Sequence, residues 1–274
     1  MRYRMDLSYD GAPYCGWQIQ PGSPSVQETV EQALGTLLRE AIGVVGAGRT
    51  DTGVHATGYV AHFDFGGPVP PALADQSGGA ACTGQESLDC ALLRYKLNAI
   101  LPGSISVSRI EPADGDFHAR FSAVRRSYMY LLHRRKDPFM DGRSYFYAYP
   151  GLDFDAMNRA ASHLLGTHDF SCFEKSGGDN KTSVCTVFSA RWTPCSPLPS
   201  GEVADGGEPL YWRFDITADR FLRNMVRAIV GTLLETGRGR RTQEEFAALI
   251  GKASRSLAGE SVPGHALYLT KVEY

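Results

Sequence analysis

The sequence predicts an α+β protein whose two halves repeat one layout, a largely antiparallel sheet flanked by helices. Three observations carry this expectation. Residues 3–9 alternate Tyr3, Met5, Leu7 and Tyr9 against Arg4, Asp6 and Ser8, the period of a half-buried strand. Apolar residues at helical spacing mark two strong amphipathic segments, residues 25–41 and 219–236. Strand-like segments follow one another as in hairpins, and the stretch 117–133 is long for a strand, which favours antiparallel over parallel pairing.

The elements follow in order. After the first strand, Asp10-Gly11-Ala12-Pro13 turns the chain into an irregular stretch, residues 15–21. Ser25 and Glu28 have the spacing of a capping box. They open a helix carrying Val26, Val30, Ala33, Leu34, Leu37, Leu38 and Ala41, with Gly43 as its stop. Val44-Val45 leads into a glycine-rich turn, and residues 58–65 leave that turn as a strand. Residues 66–85, rich in Gly, Pro, Ala and Ser, read as a long flexible loop. A helix over 88–100 ends at Leu101-Pro102-Gly103, and residues 105–110 form the next strand.

The second half opens with the strand 117–133, where Tyr128, Tyr130 and Leu132 share a face. Asp153 caps a helix over 152–165 that Gly166 stops. Strands over 184–192 and 210–216 flank a Pro/Gly-rich loop, 194–209, and the helix 219–236 follows. Thr242 and Glu245 cap a last helix to about Lys252, and residues 267–274 close the chain as a strand. The halves divide as an N-terminal subdomain, residues 1–112, and a C-terminal one, residues 113–274.

A chain of 274 residues, 43% apolar and 21% charged, has the composition of a folded globular protein. Residues 1–6 lack the apolar core of a signal peptide, and no apolar run is long enough to span a bilayer. The six cysteines form no C-x-x-C pair. The expectation is a cytoplasmic protein with free thiols, no membrane segment and no structural zinc. A net charge of −2 does not advertise a nucleic-acid partner, yet the charge is unevenly spread. Between Phe117 and Lys136 there is no acid, while Arg120, Arg125, Arg126, Arg134, Arg135 and Lys136 fall there. A second basic stretch sets Arg220, Arg223, Arg227, Arg238, Arg240 and Arg241 against the single acid Glu235. On the helix, Arg220, Arg223 and Arg227 would share one side. Both segments are interleaved with aromatic or apolar residues, which points to a polyanion.

The chemistry-bearing stretch is Gly46-Ala47-Gly48-Arg49-Thr50-Asp51-Thr52-Gly53-Val54-His55-Ala56, a loop between two strands. Its glycines allow positive φ and close approach, and Arg49 beside Asp51 is placed to hold the carboxylate ionised. Other chemistries lack their signals. His55 and His62 flank a strand with no carboxylate at a ligand offset, so no metal site is expected. There is no G-x-S-x-G, and Gly46-x-Gly48 has no third glycine and opens into a strand rather than a helix. A lone carboxylate with an arginine, two basic segments and aromatic residues remains.

Gly48-Arg49-Thr50-Asp51-x-Gly53-Val54-His55-Ala56 resembles the catalytic motif of the tRNA pseudouridine synthase A family. Tyr9-Asp10-Gly11 with Gly16-Trp17-Gln18-x-Gln20 resembles that family's N-terminal signature. The stretch from Phe117-His118-Ala119-Arg120-Phe121-Ser122-Ala123 to Tyr128-x-Tyr130 is similar to its second motif. Phe221-Leu222-Arg223-Asn224-Met225-Val226-Arg227-x-Ile229-Val230-Gly231 is similar to its third. All occur in family order and span nearly the whole chain.

The resemblance implies a pseudouridine-synthase-like α+β fold: two α/β subdomains, a largely antiparallel continuous sheet flanked by helices, and a catalytic cleft between them. It implies isomerisation of uridine to pseudouridine in the anticodon stem-loop of tRNA, at positions 38, 39 and 40, by a homodimer using neither cofactor nor metal. Asp51 matches the essential carboxylate, as nucleophile on the base or the ribose or as the base that lets the sugar eliminate. Arg49 and Arg227 match arginines that pair with it, and Tyr128 matches the tyrosine that packs on the uracil. Arg120, Arg125, Arg126, Arg220 and Arg223 are candidates for phosphate contacts. The sequence departs from the family pattern at Ala266, where a glycine is usual, and in the length of the loops 66–85 and 194–209. The alternatives are the same chemistry on other uridines, or an RNA binder or chaperone that performs none.

Overall fold

The computed structural model describes residues 1–75, 87–177, 181–196, 204–205, 208–252 and 254–274. Cα packing resolves two compact units, residues 1–123 with Tyr274, and residues 124–273. The α+β class and the predominantly antiparallel pairing hold in each.

The first unit runs β1 (Arg2–Tyr9), α1 (Val26–Leu38), β2 (Val44–Gly46), β3 (His55–Asp64), α2 (Cys90–Ile100) and β4 (Ile105–Ala113). β1 lies between β3 and β4, and β2 pairs with β3, all antiparallel. The alternation read in β1 is the observed one, with Tyr3, Met5, Leu7 and Tyr9 buried. Ser25 caps α1 by accepting the Glu28 N–H at 3.2 Å, and Val26, Val30, Ala33, Leu34 and Leu38 face the core. The helix stops earlier than Gly43 suggests. Arg39 takes the left-handed conformation (φ 59°) and its N–H returns to the Gly35 carbonyl, which leaves Ala41 outside the helix and exposed.

Residues 76–86, which include the second half of the loop expected at 66–85, lie outside the described residues, as do 178–180, 197–203, 206–207 and 253. The described ends of that first loop are pinned. Ala74 bridges Leu88, Asp75 N–H donates to the Ser87 carbonyl, and Leu73 is buried.

The second unit runs β5 (Arg125–His133), β6 (Tyr145–Phe146), α3 (Phe154–Ser162), β7 (Gly166–Asp169), β8 (Val184–Pro194), β9 (Ala204–Asp205), β10 (Glu208–Pro209), β11 (Tyr211–Ala218), α4 (Met225–Gly237), α5 (Gln243–Ala247) and β12 (Leu267–Glu273). Its sheet is ordered β12-β5-β11-β8-β7 with antiparallel neighbours, and β6 adds in parallel to β5. Asp153 caps α3, and Thr242 with Glu245 forms a complete capping box on α5, as the spacing predicts. β6 and β7 carry too few residues for their periodicity to be read.

One expected strand is two structures. Residues 117–123 are not strand: the ring Nδ1 of His118 accepts the Arg120 and Phe121 N–H groups, and Ser122 bonds back to His118. These local bonds compete with extended pairing and fold the segment into a turn, so β5 begins only at Arg125. Nor does the chain divide at 112. Arg2 donates to the carbonyls of Gly115 and Phe117 at 2.9 Å while forking onto Asp64, and Tyr274 Oη donates to the Ala119 carbonyl at 2.8 Å. Residues 113–123 thereby join the first unit.

Buried His62 completes that anchor, its Nδ1 accepting the Ala119 N–H at 3.1 Å. Burial, then the charges of Arg2 and His118, lower its pKa to about 4. The folded state therefore resists protonation that the unfolded chain accepts near pH 6.5. His62's contribution is full above that value and is lost as pH falls through about 4. Thermal melts from pH 7.5 down to 4.5 should show a falling Tm, and His62→Gln, which keeps an acceptor but cannot titrate, should flatten the slope. An unchanged slope would exclude His62 as its source.

Candidate functional site

The loop between β2 and β3 is set from below, from the side and from within. Below it, Trp17 stacks on Tyr59 at 4.2 Å between ring centroids, and Tyr9 packs edge-on to Tyr59 at 5.4 Å. All three rings are buried, and a Cβ on Gly46 would lie 2.1 Å from Tyr59 Oη and 2.6 Å from the Trp17 ring. The two tyrosine hydroxyls hold the loop itself: Tyr59 Oη donates to the Gly48 carbonyl, and Tyr9 Oη pairs with Thr50 Oγ1 at 2.9 Å.

From the side, the irregular stretch after β1 lies against residues 50–54. Trp17 N–H donates to the Thr50 carbonyl and Gly53 N–H to the Tyr14 carbonyl, both at 3.3 Å. The approach is so close that a Cβ on Gly11 would sit 2.0 Å from the Val54 carbonyl oxygen. One on Gly16, at φ +99°, would sit 2.3 Å from that of Thr50. From within, Val54 N–H closes a turn onto the Asp51 carbonyl at 3.1 Å, and Gly53 supplies the positive φ (74°) that a type II turn needs at its third position. Asp51 opens this turn, half-buried, while Arg49 is exposed and Thr50 buried. Of the three glycines in the stretch, only Gly53 uses left-handed backbone.

His55, weighed from the sequence only as a metal ligand, is fully enclosed at the start of β3. Its Nδ1 lies 3.0 Å from both the Gly11 N–H and Asp10 Oδ1. The nearby Tyr9-Asp10-Gly11 motif was the available signal.

In the second unit, β5 separates two tyrosines that sequence places on one face. Tyr130 is core: it is completely buried, donates to the Pro263 carbonyl at 3.1 Å, and burial pushes its pKa well above the usual phenol value. Tyr128 is only half-buried, and its ring meets that of Phe221 edge-on at 5.0 Å. Phe221 is thus a residue given no role from sequence, although it opens the third motif.

The helix expected over 219–236 starts at Met225. Asp219 Oδ1 accepts the Thr186 and Arg220 N–H groups, drawing the chain out of β11 into a loop, and Asn224 at φ 65° bars helical continuity. Arg220 and Arg223 consequently do not share a helix face with Arg227. Arg220 donates to the carbonyls of Val184 and Thr182, and Arg223 to those of Ser176 and Gly177. Arg126 Nη1 donates to the Asp219 carbonyl at 2.8 Å, and Arg125 lies over the Phe188 ring at 4.6 Å and 3.8 Å from Glu273. Arg227, in the first turn of α4, is clamped to the chain before β12: its Nε donates to the Val262 carbonyl at 2.8 Å, and Val262 N–H returns to the Arg227 carbonyl. Gly231 permits this close layering, since a Cβ there would lie 1.8 Å from the Glu260 carbonyl oxygen.

Among the described residues, no group of three or more His, Cys, Asp and Glu side chains is disposed to hold a metal ion, and no helix is long and apolar enough to cross a membrane. Each unit presents its own candidate groups: a carboxylate on a glycine-built turn in the first, and in the second an arginine in the first turn of α4 and a tyrosine on β5.

Comparison with known proteins places these features in a family. The model of the family described as tRNA pseudouridine synthase matches residues 160–274. Full-length similarity covers both units. The chain is 45% identical to the tRNA pseudouridine synthase A of Porphyromonas gingivalis, over 100% of this chain and 97% of that protein. It is 46% identical to that of Bacteroides thetaiotaomicron, over 100% and 90%, and 39% identical to that of Bacillus subtilis, over 100% and 99%. The chain belongs to the tRNA pseudouridine synthase family.

The glycine contacts make a stability prediction. Gly11→Ala forces a methyl into the Val54 carbonyl and should destabilise by about 1–3 kcal/mol, read as a lower midpoint in urea unfolding. Gly48→Ala, whose Cβ would meet open space, should leave the midpoint unchanged. Equal effects from the two would refute main-chain contact as the reason for Gly11.

Proposed function

We propose that this chain is an isomerase converting uridine to pseudouridine in tRNA, with Asp51 as its essential group. The supporting observation is Asp51 itself, opening a turn held by Gly11, Gly16 and Gly53, in a chain similar along its whole length to enzymes of that name. The reaction breaks the bond from N1 of uracil to the ribose C1′, turns the base, and joins C1′ to C5. N1 gains a proton and C5 loses one, so nothing else is consumed. A carboxylate supplies the chemistry as nucleophile on the base or the ribose, or as the base for elimination at the sugar.

Arg49 and Arg227 keep Asp51 ionised. Arg227 is itself held, its Nε donating to the Val262 carbonyl. Tyr128 packs against the uracil and its hydroxyl assists removal of the C5 proton, while the edge of Phe221 fixes the tyrosine ring. A stacked uridine cannot reach such a carboxylate and must be flipped out, at a cost of a few kcal/mol that phosphate contacts offset. Arg120 and Arg125 are the first candidates for those contacts. Arg126, Arg220 and Arg223 come second, given the internal carbonyls they already serve. We place the target uridines at positions 38, 39 and 40 of the anticodon stem-loop, and the enzyme in the cytoplasm as a homodimer.

Tritium release from tRNA carrying 5-tritiated uridine reads this chemistry directly. Asp51→Asn should abolish release while tRNA binding and Tm stay at wild-type values; sustained release would exclude Asp51 as the essential group. Tyr128→Phe should retain tRNA binding and lose roughly 10²-fold or more in rate, whereas Tyr128→Leu should lose the packing as well. If Tyr128→Phe were as active as wild type, the hydroxyl would have no part in proton transfer. Mapping pseudouridine in tRNA from a strain lacking the gene, with and without complementation, identifies the positions and would displace 38–40 if others were restored.

A further inference from the structure

The turn formed by residues 117–123 is built to hold an apolar ring in water. Phe121 is 74% exposed, yet the turn that carries it is tied by hydrogen bonds within itself and to His62 and Tyr274. Ala119 at its centre is fully buried, with its N–H given to His62 and its carbonyl accepting Tyr274 Oη. His118 binds three ways within the turn: its Nδ1 accepts from Arg120 and Phe121, its carbonyl accepts the Ser122 N–H at 2.9 Å, and its own N–H donates to Ser122 Oγ at 3.0 Å. A flexible segment would fold a phenyl ring back against the protein, because exposed apolar area is unfavourable. Here the backbone bonds prevent it.

The surroundings of the ring say what it meets. The Arg120 guanidinium lies 5.5 Å from the ring centroid of Phe121, and the His118 ring lies 4.3 Å from it at 36°. An exposed aromatic face beside a cation suits a planar group attached to a phosphate, where stacking and charge act together. The acid-free run that begins at Phe117 favours the same anionic partner.

We propose that Phe121, with Arg120 beside it, is a stacking platform for an unpaired base of the tRNA substrate, distinct from the uridine that reacts. The inference rests on the proposed function for the identity of the RNA, and not on the role of Asp51. Phe121 stacks on the base while Arg120 contacts the adjoining phosphate. Because the platform is preorganised, binding orders only the nucleotide.

Binding of full-length transcribed tRNA is measured by fluorescence in the Asp51→Asn background, where no turnover intervenes. Adding Phe121→Ala should weaken binding about tenfold without changing Tm, the salt dependence or the mass in solution. Phe121→Trp should bind nearly as the parent does, and its new indole fluorescence should be quenched when tRNA is added. Arg120→Gln should reduce the slope of log affinity against log salt by about one. Unchanged affinity for Phe121→Ala, or an indole indifferent to tRNA, would overturn the proposal. A drop in oligomeric mass with Phe121→Ala would also overturn it by assigning the ring to a contact between copies. Failure of the Asp51→Asn parent to bind tRNA at all would overturn the proposed function as well, which separates the two.

Discussion

The first unit depends on main-chain contact between two stretches far apart in sequence. Where Gly11 and Gly16 meet residues 50–54, no atom separates backbone from backbone. Side-chain packing tolerates errors of several tenths of an ångström because rotamers adjust, whereas carbonyl against Cα has nowhere to go. The loop bearing Asp51 therefore inherits the precision of β1 and β3, whose register ends at Tyr9 opposite Ala56, where the two stretches meet the strands. The buried rings of Tyr9, Trp17 and Tyr59 fill the space beneath, and the two tyrosines spend their hydroxyls on the same loop. Such placement is what catalysis by a single carboxylate requires, since a misplacement of about 1 Å is costly where no second group compensates.

The second unit solves a similar problem by delaying a helix. Periodicity runs from Leu222 through Leu233 without interruption, so the pattern alone extends the helix back to Asp219. What interrupts it is side-chain chemistry that periodicity does not register. Asp219 satisfies two backbone donors outside a helix, and Asn224 is one of the few residue types that accept a left-handed backbone at small cost. The consequence is functional. The delay leaves Phe221 in a loop where its ring edge meets Tyr128, and puts Arg227 in the first turn of α4, facing the 259–262 strap.

What was legible in the sequence was what is local. The alternation in β1 and the N-caps at Ser25, Asp153 and Thr242 depend on residues within four positions of one another, and each holds. The ends of elements were less readable because they are settled elsewhere. Arg39 rather than Gly43 closes α1, and the strand expected from 117 yields to a turn anchored on His62 and Tyr274, distant in the chain. The candidate residues divide likewise. Asp51, Arg49, Tyr128 and Arg227 came from contiguous motifs, but the reasons for Gly11 and Gly16, the enclosure of His55, and the pairing of Phe221 with Tyr128 exist only in three dimensions.

The arginines carry the same lesson about charge. Counted along the chain, they suggest a surface that binds a polyanion by number. In the structure many serve the protein first: Arg2 ties residues 115 and 117 to β1, Arg126 and Arg220 hold the loop after β11, Arg223 meets the chain near 176, and Arg241 pairs with Glu235. A guanidinium committed to a carbonyl still contributes field, but its N–H groups are no longer all available for a phosphate. Charge that is partly used internally steers a nucleic acid more than it grips one. In a chain of net charge −2, stacking on a ring held out by a hydrogen-bonded turn, as proposed for Phe121, adds grip that such charge does not supply.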